Sequence, residues 1–148
     1  MTATFDEAVR ARLQAPSIRY VGTVFADGAP RVSPMRVDLE GEGELTFNTS
    51  VGRVEEENLR RDPRVHLSHA DATDPFARVQ ISGVVARFNE GEEAHDRMDR
   101  PAREYLGSER FEWIVPGEQR VAVIVRPVRV RHIVGVERFR PGGSVPAL

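Results

Sequence analysis

Five residues between a short apolar strand and a predicted helix could together bind an anion. Asn48, Thr49 and Ser50 supply an amide and two hydroxyls, and Gly52 and Arg53 follow them. Glycine allows a ligand to approach the backbone closely, and a guanidinium can donate two parallel hydrogen bonds to a phosphate or carboxylate. Thr49 or Ser50 is suited to cap the helix and leave backbone N–H groups for a ligand. Ordinary capped helices share this pattern, so the residues alone leave both interpretations open.

Hydrophobic periodicity predicts six or seven strands with about three helices in the gaps. Short turns between the strands favour antiparallel pairing, and the absence of a regular strand–helix–strand rhythm argues against a doubly wound sheet. Pro34, Pro101 and Pro127 predict an edge strand or bulge, a helix kink and a second bulge, respectively. We therefore expect a mainly β (α+β) antiparallel barrel with peripheral helices. Its strands are predicted at 18–25, 31–39, 45–48, 64–70, 78–89 and 120–136, and its helices near 5–13, 51–61 and 92–106.

Length and composition limit the classes of protein that this chain can represent. Its 148 residues suit one domain, 1–148, with a core at about 17–138 and a loose tail at 139–148. The net charge of −2 does not favour nucleic acid. The apolar runs are too short for a membrane span and the N-terminus does not resemble a signal peptide, so we expect a cytoplasmic protein.

The residue types also limit the chemistry. There is no cysteine, and all 21 basic residues are arginine. Thiolate chemistry and lysine Schiff bases are therefore excluded, and an anion has to be held by arginine or by backbone groups. His66 and His69 lie three residues apart on a predicted strand and should face opposite sides, so no metal site is expected.

The segment 47–65 resembles the flavin split-barrel superfamily, the pyridoxamine-5'-phosphate-oxidase-like proteins. It is most similar to the branch that uses the deazaflavin coenzyme F420, in which a strand ending Asn-Thr leads through Gly-Arg to Asn-Leu-Arg-Arg-Asp-Pro-Arg-Val. The order of predicted elements agrees from about residue 18 to 130. The resemblance implies a split β-barrel, a homodimer with cofactor sites at its interface, and coenzyme F420 or alternatively FMN as the cofactor.

The resemblance also implies which residues contact the cofactor. The turn described above would hold the phosphate and part of the ring. Residues 32–36 would lie behind the ring, where their apolar surface and backbone face it, although an edge strand alone explains the proline. An aromatic residue in the loop 71–76 would lie near the site or simply pack. The implied cofactor-binding residues are Pro34, Met35, Arg36, Asn48, Thr49, Ser50, Gly52, Arg53 and Phe76.

Glu55 departs from the family pattern, because relatives usually carry a phosphate-binding lysine at this position. A carboxylate there would repel a phosphate. Three outcomes are open: Glu55 turns to solvent while Arg53 binds alone, another arginine such as Arg36 or Arg19 replaces the lysine, or the usual cofactor does not bind. The acidic run 55–57 is also consistent with a solvated helix face.

These implications predict an F420-dependent oxidoreductase that transfers a hydride between the cofactor and a small organic molecule. The protein would supply orientation, ring packing and an anion clamp, and no catalytic residue is assigned. The alternatives are an FMN-dependent oxidoreductase, a non-enzymatic carrier of F420, FMN or haem, and a structural dimer whose cofactor site has decayed.

Overall fold

A computed structural model describes residues 2–74, 76–113 and 115–135, which form seven strands and three α-helices. The predicted tail, 139–148, lies outside the described residues. The third helix continues into a π-helical turn, Ala102–Leu106. The other elements are α1 (Glu7–Gln14), β1 (Ile18–Val24), β2 (Pro30–Arg36), β3 (Asp38–Glu40), β4 (Glu44–Ser50), α2 (Val54–Arg61), β5 (Arg64–Ala70), β6 (Ala77–Glu90), α3 (Glu92–Pro101) and β7 (Arg120–Val134).

The strands form one antiparallel sheet in the order β2-β1-β5-β6-β7-β4-β3. The long pair β6 and β7 changes register twice, and the first change leaves Val128 unpaired beside Pro127. This confirms the bulge predicted at that proline, and such bulges bend a sheet. The seven antiparallel strands and three helices confirm the predicted split-barrel fold.

Val37 is the single residue between β2 and β3, which form opposite edges of the sheet. The two edges must therefore meet at Val37, and contacts between β2 and β4 accompany this closure. The sequence had predicted one strand at 31–39, but the chain turns at the buried Val37 and pairs its two halves with different neighbours. Pro34 lies in the edge strand β2, as its missing N–H requires.

The apolar core lies between the sheet and the first two helices. Val9 and Leu13 of α1 and Leu59 of α2 are buried against inward-facing strand residues such as Phe47 and Ile81. Burial alternates along β5 and the first half of β6, as expected for strands with one face toward the core.

Pro101 ends α3, and the chain then follows a wider π-helical turn up to Gly107, whose φ is 67°. This confirms the predicted break at Pro101 and the stop at Gly107. No helix in the described part of the chain is long and apolar enough to cross a membrane.

Candidate functional site

A cleft of about 200 Å³ lies where β2, β4 and α3 meet. It contains four of the predicted cofactor-binding residues, namely Pro34, Met35, Arg36 and Asn48. Its walls combine apolar side chains with arginines and strand-borne polar groups. The remaining residues that line it are Asp38, Thr46, Phe47, Arg97, Met98, Pro101 and Arg120.

Four residues that line the cleft each carry a buried polar atom with no hydrogen-bond partner in the described part of the chain. These atoms are Arg36 Nη1, Thr46 Oγ1, Asn48 Oδ1 and Arg97 Nε. Leaving a buried donor or acceptor unpaired costs about 1–3 kcal/mol, so native proteins rarely do so. Four such atoms around one cleft are donors and acceptors whose hydrogen bonds a polar ligand or ordered water would complete.

Arg36 is held rigidly at the edge of the cleft. Its Nε and Nη2 each donate to one oxygen of Asp38 at 2.8 Å, and Nη2 also contacts Glu104. The guanidinium lies 4.5 Å from the ring centroid of Tyr105, within the range of a cation–π contact. Burial opposes the charge of Arg36, but the hydrogen bonds with Asp38 and Glu104 raise its pKa. These contacts fix the guanidinium and leave Nη1 unpaired.

Arg97 fixes α3 over the cleft. Its guanidinium pairs with Glu40 of β3 and with Glu93 one helical turn earlier. Hydrogen bonds with Glu40, followed by those with Glu93, raise the pKa of Arg97 despite burial. The cleft wall therefore depends on a contact between distant parts of the sequence.

The turn after β4 does not form the predicted helix cap. β4 continues to Ser50, which pairs with Arg120, so α2 begins only at Val54. Arg53 is the N-cap residue and makes no side-chain cap hydrogen bond. Ser50 Oγ donates to Glu118 instead, and the buried Thr49 Oγ1 has no partner in the described residues. The expected capping role of Thr49 or Ser50 was therefore wrong.

Gly52 adopts a φ of 84°, a conformation that glycine reaches without strain. Its N–H donates to Glu56 Oε2 at 3.2 Å, and the other oxygen of Glu56 pairs with Arg60. Glu56 is only 4 % exposed. The Glu56 carboxylate thus accepts a hydrogen bond from a backbone N–H that we expected to face a ligand. The interpretation of residues 55–57 as a solvated helix face was wrong for Glu55 and Glu56, which are both buried.

Glu55, at the position where relatives carry lysine, turns inward. Its Oε1 accepts hydrogen bonds from Arg31 Nη2 and Ser33 Oγ, both at 2.8 Å. Burial opposes ionisation, but the hydrogen bonds from Arg31, the backbone N–H and Ser33 lower the pKa of Glu55. The alternative in which Glu55 turns to solvent was therefore wrong, since Arg31 neutralises it within the fold.

Arg19 is not available to replace the lysine, because it is 2 % exposed and its hydrogen bonds serve the fold. Its Nη atoms donate to five backbone carbonyls, which ties the end of α1 to the chain at Val37. Burial lowers its pKa. The acceptors are the carbonyls of Arg12, Leu13, Ala15, Ser17 and Val37, at 2.9–3.0 Å.

Phe76 lies away from the cleft within one chain. It precedes the end of β6 that pairs with Val134, whereas the other end of β6 pairs with Val121 beside Arg120. Its backbone N–H donates to Asp74 Oδ1 at 3.0 Å. A single copy of the chain therefore does not bring Phe76 to the predicted site.

His66 and His69 face opposite sides of β5, as predicted, with His69 buried and His66 exposed. The described residues contain no cluster of three or more His, Cys, Asp or Glu side chains suited to hold a metal.

Reasoning from the sequence missed several residues near the site, among them Thr46, Arg97, Glu118 and Arg120. Thr46 had a signal, because it lies two residues before Asn48 on a strand and shares its face. The two arginines and Glu118 reach the site only through pairing across the fold. No spacing between neighbouring residues in the sequence predicts that these three side chains lie near the site.

Comparison with known proteins places the chain in a family. The family model described as pyridoxamine 5'-phosphate oxidase matches residues 5–133. No match was found among curated protein sequences.

Solved structures show the same fold at low sequence identity. One named F420 reductase is 24 % identical, with a TM-score of 0.75 over 86 % of this chain and 98 % of its own. A conserved hypothetical protein of Mycobacterium tuberculosis is 20 % identical, with a TM-score of 0.74 over 99 % and 94 %. A putative pyridoxamine 5'-phosphate oxidase of Listeria innocua is 19 % identical, with a TM-score of 0.66 over 85 % and 95 %.

Proposed function

Because the chain belongs to the pyridoxamine 5'-phosphate oxidase family, in the split-barrel superfamily of flavin and deazaflavin oxidoreductases, we propose that it uses coenzyme F420 to reduce or oxidise a small organic molecule. The observation that carries this proposal is the cleft with its four unpaired polar atoms. The similar structure named F420 reductase supports F420 over FMN.

The residues of the cleft suit the polar edge of a flat heterocycle. Arg36 Nη1 can donate to a carbonyl, Asn48 Oδ1 can accept from a ring N–H, and the Thr46 hydroxyl can do either. The pyrimidine edge of a flavin or deazaflavin carries both carbonyl and N–H groups. Pro34, Met35 and the other apolar lining residues would cover its faces.

The cofactor would supply the hydride chemistry, and the protein would bind and orient it. Arg36 is pre-organised by Asp38 and Tyr105, so little side-chain entropy is lost when Nη1 finds a partner. A cleft of about 200 Å³ holds only part of such a cofactor. The rest would extend toward Arg120, which lines the cleft and also donates a hydrogen bond to Ser50, the last residue of β4.

A second copy of the chain would complete the site. A groove of about 850 Å³ runs over the outer face of β1, β2 and β5, and Tyr20 and Val32 are exposed within it. Large exposed apolar patches mark interaction surfaces. Val32 and Pro34 share one face of β2, so a partner seated on the groove would adjoin the cleft.

Titration of the purified protein with F420 and, separately, FMN tests the proposal, with ligand fluorescence as the readout. We expect F420 to bind at or below tens of micromolar. Thr46→Val removes one cleft hydroxyl at nearly constant volume and should weaken binding, while Thr4→Val at an exposed position should not.

The outcomes of the titration distinguish the proposed function from its alternatives. Failure of both cofactors to bind would overturn the proposal and favour the decayed site. Binding of FMN alone would replace F420 with FMN. If F420 binds but its reduced form is not oxidised by enones, quinones or biliverdin, the protein is a carrier.

A further inference from the structure

Glu118 lies among groups that are suited to bind an anionic ligand. Its carboxylate accepts hydrogen bonds from Ser50 Oγ and from Arg53 Nη2, the latter at 3.2 Å, and lies 3.6 Å from Arg120 Nη1. Arg120 Nη1 also donates to Ser50 Oγ at 3.2 Å. We call Ser50, Arg53 and Arg120 the anion cradle. The Glu118 side chain fills this cradle and is only 10 % exposed.

The charges of the cradle exceed those of the carboxylate inside it. Two guanidiniums face one carboxylate, so one positive charge is left over. Arg53 is 58 % exposed and makes only this one side-chain hydrogen bond within the described residues. Its other N–H groups are therefore available to a second acceptor. A phosphate would suit them, because it offers more acceptor oxygens than a carboxylate does.

Two of the three cradle residues, Ser50 and Arg120, belong to the sheet, and Arg53 is the N-cap residue of α2, whereas Glu118 comes from a loop. Ser50 and Arg120 are register partners of β4 and β7, and Val51 N–H donates to the Gln119 carbonyl at 2.9 Å. Glu118 lies before the strand, and its own N–H donates to the Val115 carbonyl at 3.0 Å. Displacing the Glu118 side chain therefore breaks no strand pairing.

There is space next to the cradle for a ligand group. Glu118 and Arg120 border a hollow of about 310 Å³ that Val51, Gly91, His95 and Glu90 also line, and Glu90 is paired with Arg60. Arg120 lines the cleft described above as well. A ligand that extends from the cleft past Arg120 would thus meet the Glu118 carboxylate.

We propose that Glu118 is an internal stand-in for a ligand phosphate: it occupies the cradle in the free protein, competes with a phosphomonoester or phosphodiester, and sets the affinity for it. Ser50, first, and then Arg120 and Arg53 lower the pKa of Glu118, so it competes as a carboxylate. This role rests on the proposed function in one respect: the ligand phosphate would be that of F420 or FMN, both of which carry one.

Glu118→Gln tests this role, because it removes the charge and keeps the shape. The probe is inorganic pyrophosphate, and its affinity is measured by calorimetry at fixed ionic strength. We expect at least fivefold tighter binding than in the wild type. Glu112→Gln, at an exposed position of the same loop, removes the same charge and should leave the affinity within twofold.

A second substitution locates the probe. Adding Arg53→Ala to Glu118→Gln should return the affinity to the wild-type value or below. Unchanged or weaker binding by Glu118→Gln overturns the role, as does equal tightening by Glu112→Gln. If Glu118→Gln does not fold, Glu118→Asp replaces it; the shortened side chain should give at least a twofold gain, and no gain overturns the role.

Titration with F420 and FMN separates this inference from the proposed function. Tighter pyrophosphate binding without binding of either cofactor leaves the cradle established and the cofactor proposal overturned. Cofactor binding that Glu118→Gln does not strengthen leaves the cofactor proposal intact and overturns the role of Glu118.

Discussion

Arg36 and Asp38 form a bidentate ion pair, with both N–O distances at 2.8 Å, across the one residue that joins opposite edges of the sheet. The pair fixes the chain on both sides of Val37, and Arg36, whose Nη1 is buried without a partner in the described residues, lines the cleft. Arg36 therefore belongs both to the junction between the two sheet edges and to the lining of the cleft.

Arg36→Lys should weaken binding of whichever cofactor the wild type binds. Lysine keeps the charge but cannot grip Asp38 with two parallel bonds and present a third donor. We expect a loss of about 1–3 kcal/mol in the binding free energy, measured by fluorescence titration. Arg103→Lys, on the exposed side of the π-helical turn, is the matched control. Equal affinity of Arg36→Lys and the wild type for the cofactor would show that the cofactor ring does not bind beside Arg36.

Arg19→Lys should destabilise the fold. Three N–H donors of lysine cannot serve five carbonyls, so buried acceptors lose their partners. We expect the free energy of unfolding to fall by about 3 kcal/mol or more, measured with urea. Arg129→Lys at an exposed site of β7 should change it by less than about 0.5 kcal/mol. A loss for Arg19→Lys no larger than the control's would contradict the anchoring role.

Most elements of this fold could be predicted, because the alternation of apolar and polar residues, the turn residues and the prolines determine structure within a short segment of sequence. Pro101 and Pro127 each marked the break that the structure shows. The division at Val37 was missed, because the two halves of that segment find different partners across the sheet.

The candidate site was harder to predict, because its contacts are made across the fold. Four predicted residues meet in the cleft, but their role in cofactor binding stays a prediction. Glu55 looked exposed because acidic runs usually are, and its burial is accounted for by Arg31 and Ser33, which lie 24 and 22 positions away. Glu118 accepts a hydrogen bond from Arg53, which lies 65 positions away, and no sequence pattern predicts a contact over that separation.

Gly83→Ala should destabilise the bulge that bends β6 against β7. A Cβ at Gly83 would lie 2.6 Å from Val125 Cγ1 and 2.9 Å from the Arg126 carbonyl oxygen. Because the second neighbour is backbone, a side-chain rotation cannot relieve the clash, and we expect a loss of about 1–3 kcal/mol. Gly43→Ala is the control, since nothing lies within 4 Å of its Cβ. Urea unfolding distinguishes them, and equal midpoints would contradict the predicted clash.

His69 should make the protein less stable as the pH falls below about 6.5. Burial, and then the charges of Arg19 and Arg12, lower the pKa of His69, against the opposing charge of Asp71. The unfolded chain takes up this proton near pH 6.5 and the native state resists it, so the free energy of unfolding falls with pH through that window. One proton contributes a slope of at most about 1.4 kcal/mol per pH unit.

His69→Gln should flatten this dependence between pH 7 and 5, measured by urea unfolding at each pH. His95→Gln on α3 controls for the loss of a histidine elsewhere in the chain. A slope that His69→Gln leaves unchanged would show that other groups cause the acid sensitivity.

Val32→Arg should separate the proposed dimer. Val32 is 64 % exposed on the edge strand β2 and lines the outer groove. A buried arginine in each copy would have to lose its hydration without a partner. Light scattering at tens of micromolar should give twice 16.6 kDa for the wild type and 16.6 kDa for the variant. Val115→Arg, exposed on the loop before β7, should remain dimeric. A monomeric wild type would exclude the dimer at these concentrations, and a dimeric Val32→Arg would move the interface away from the groove.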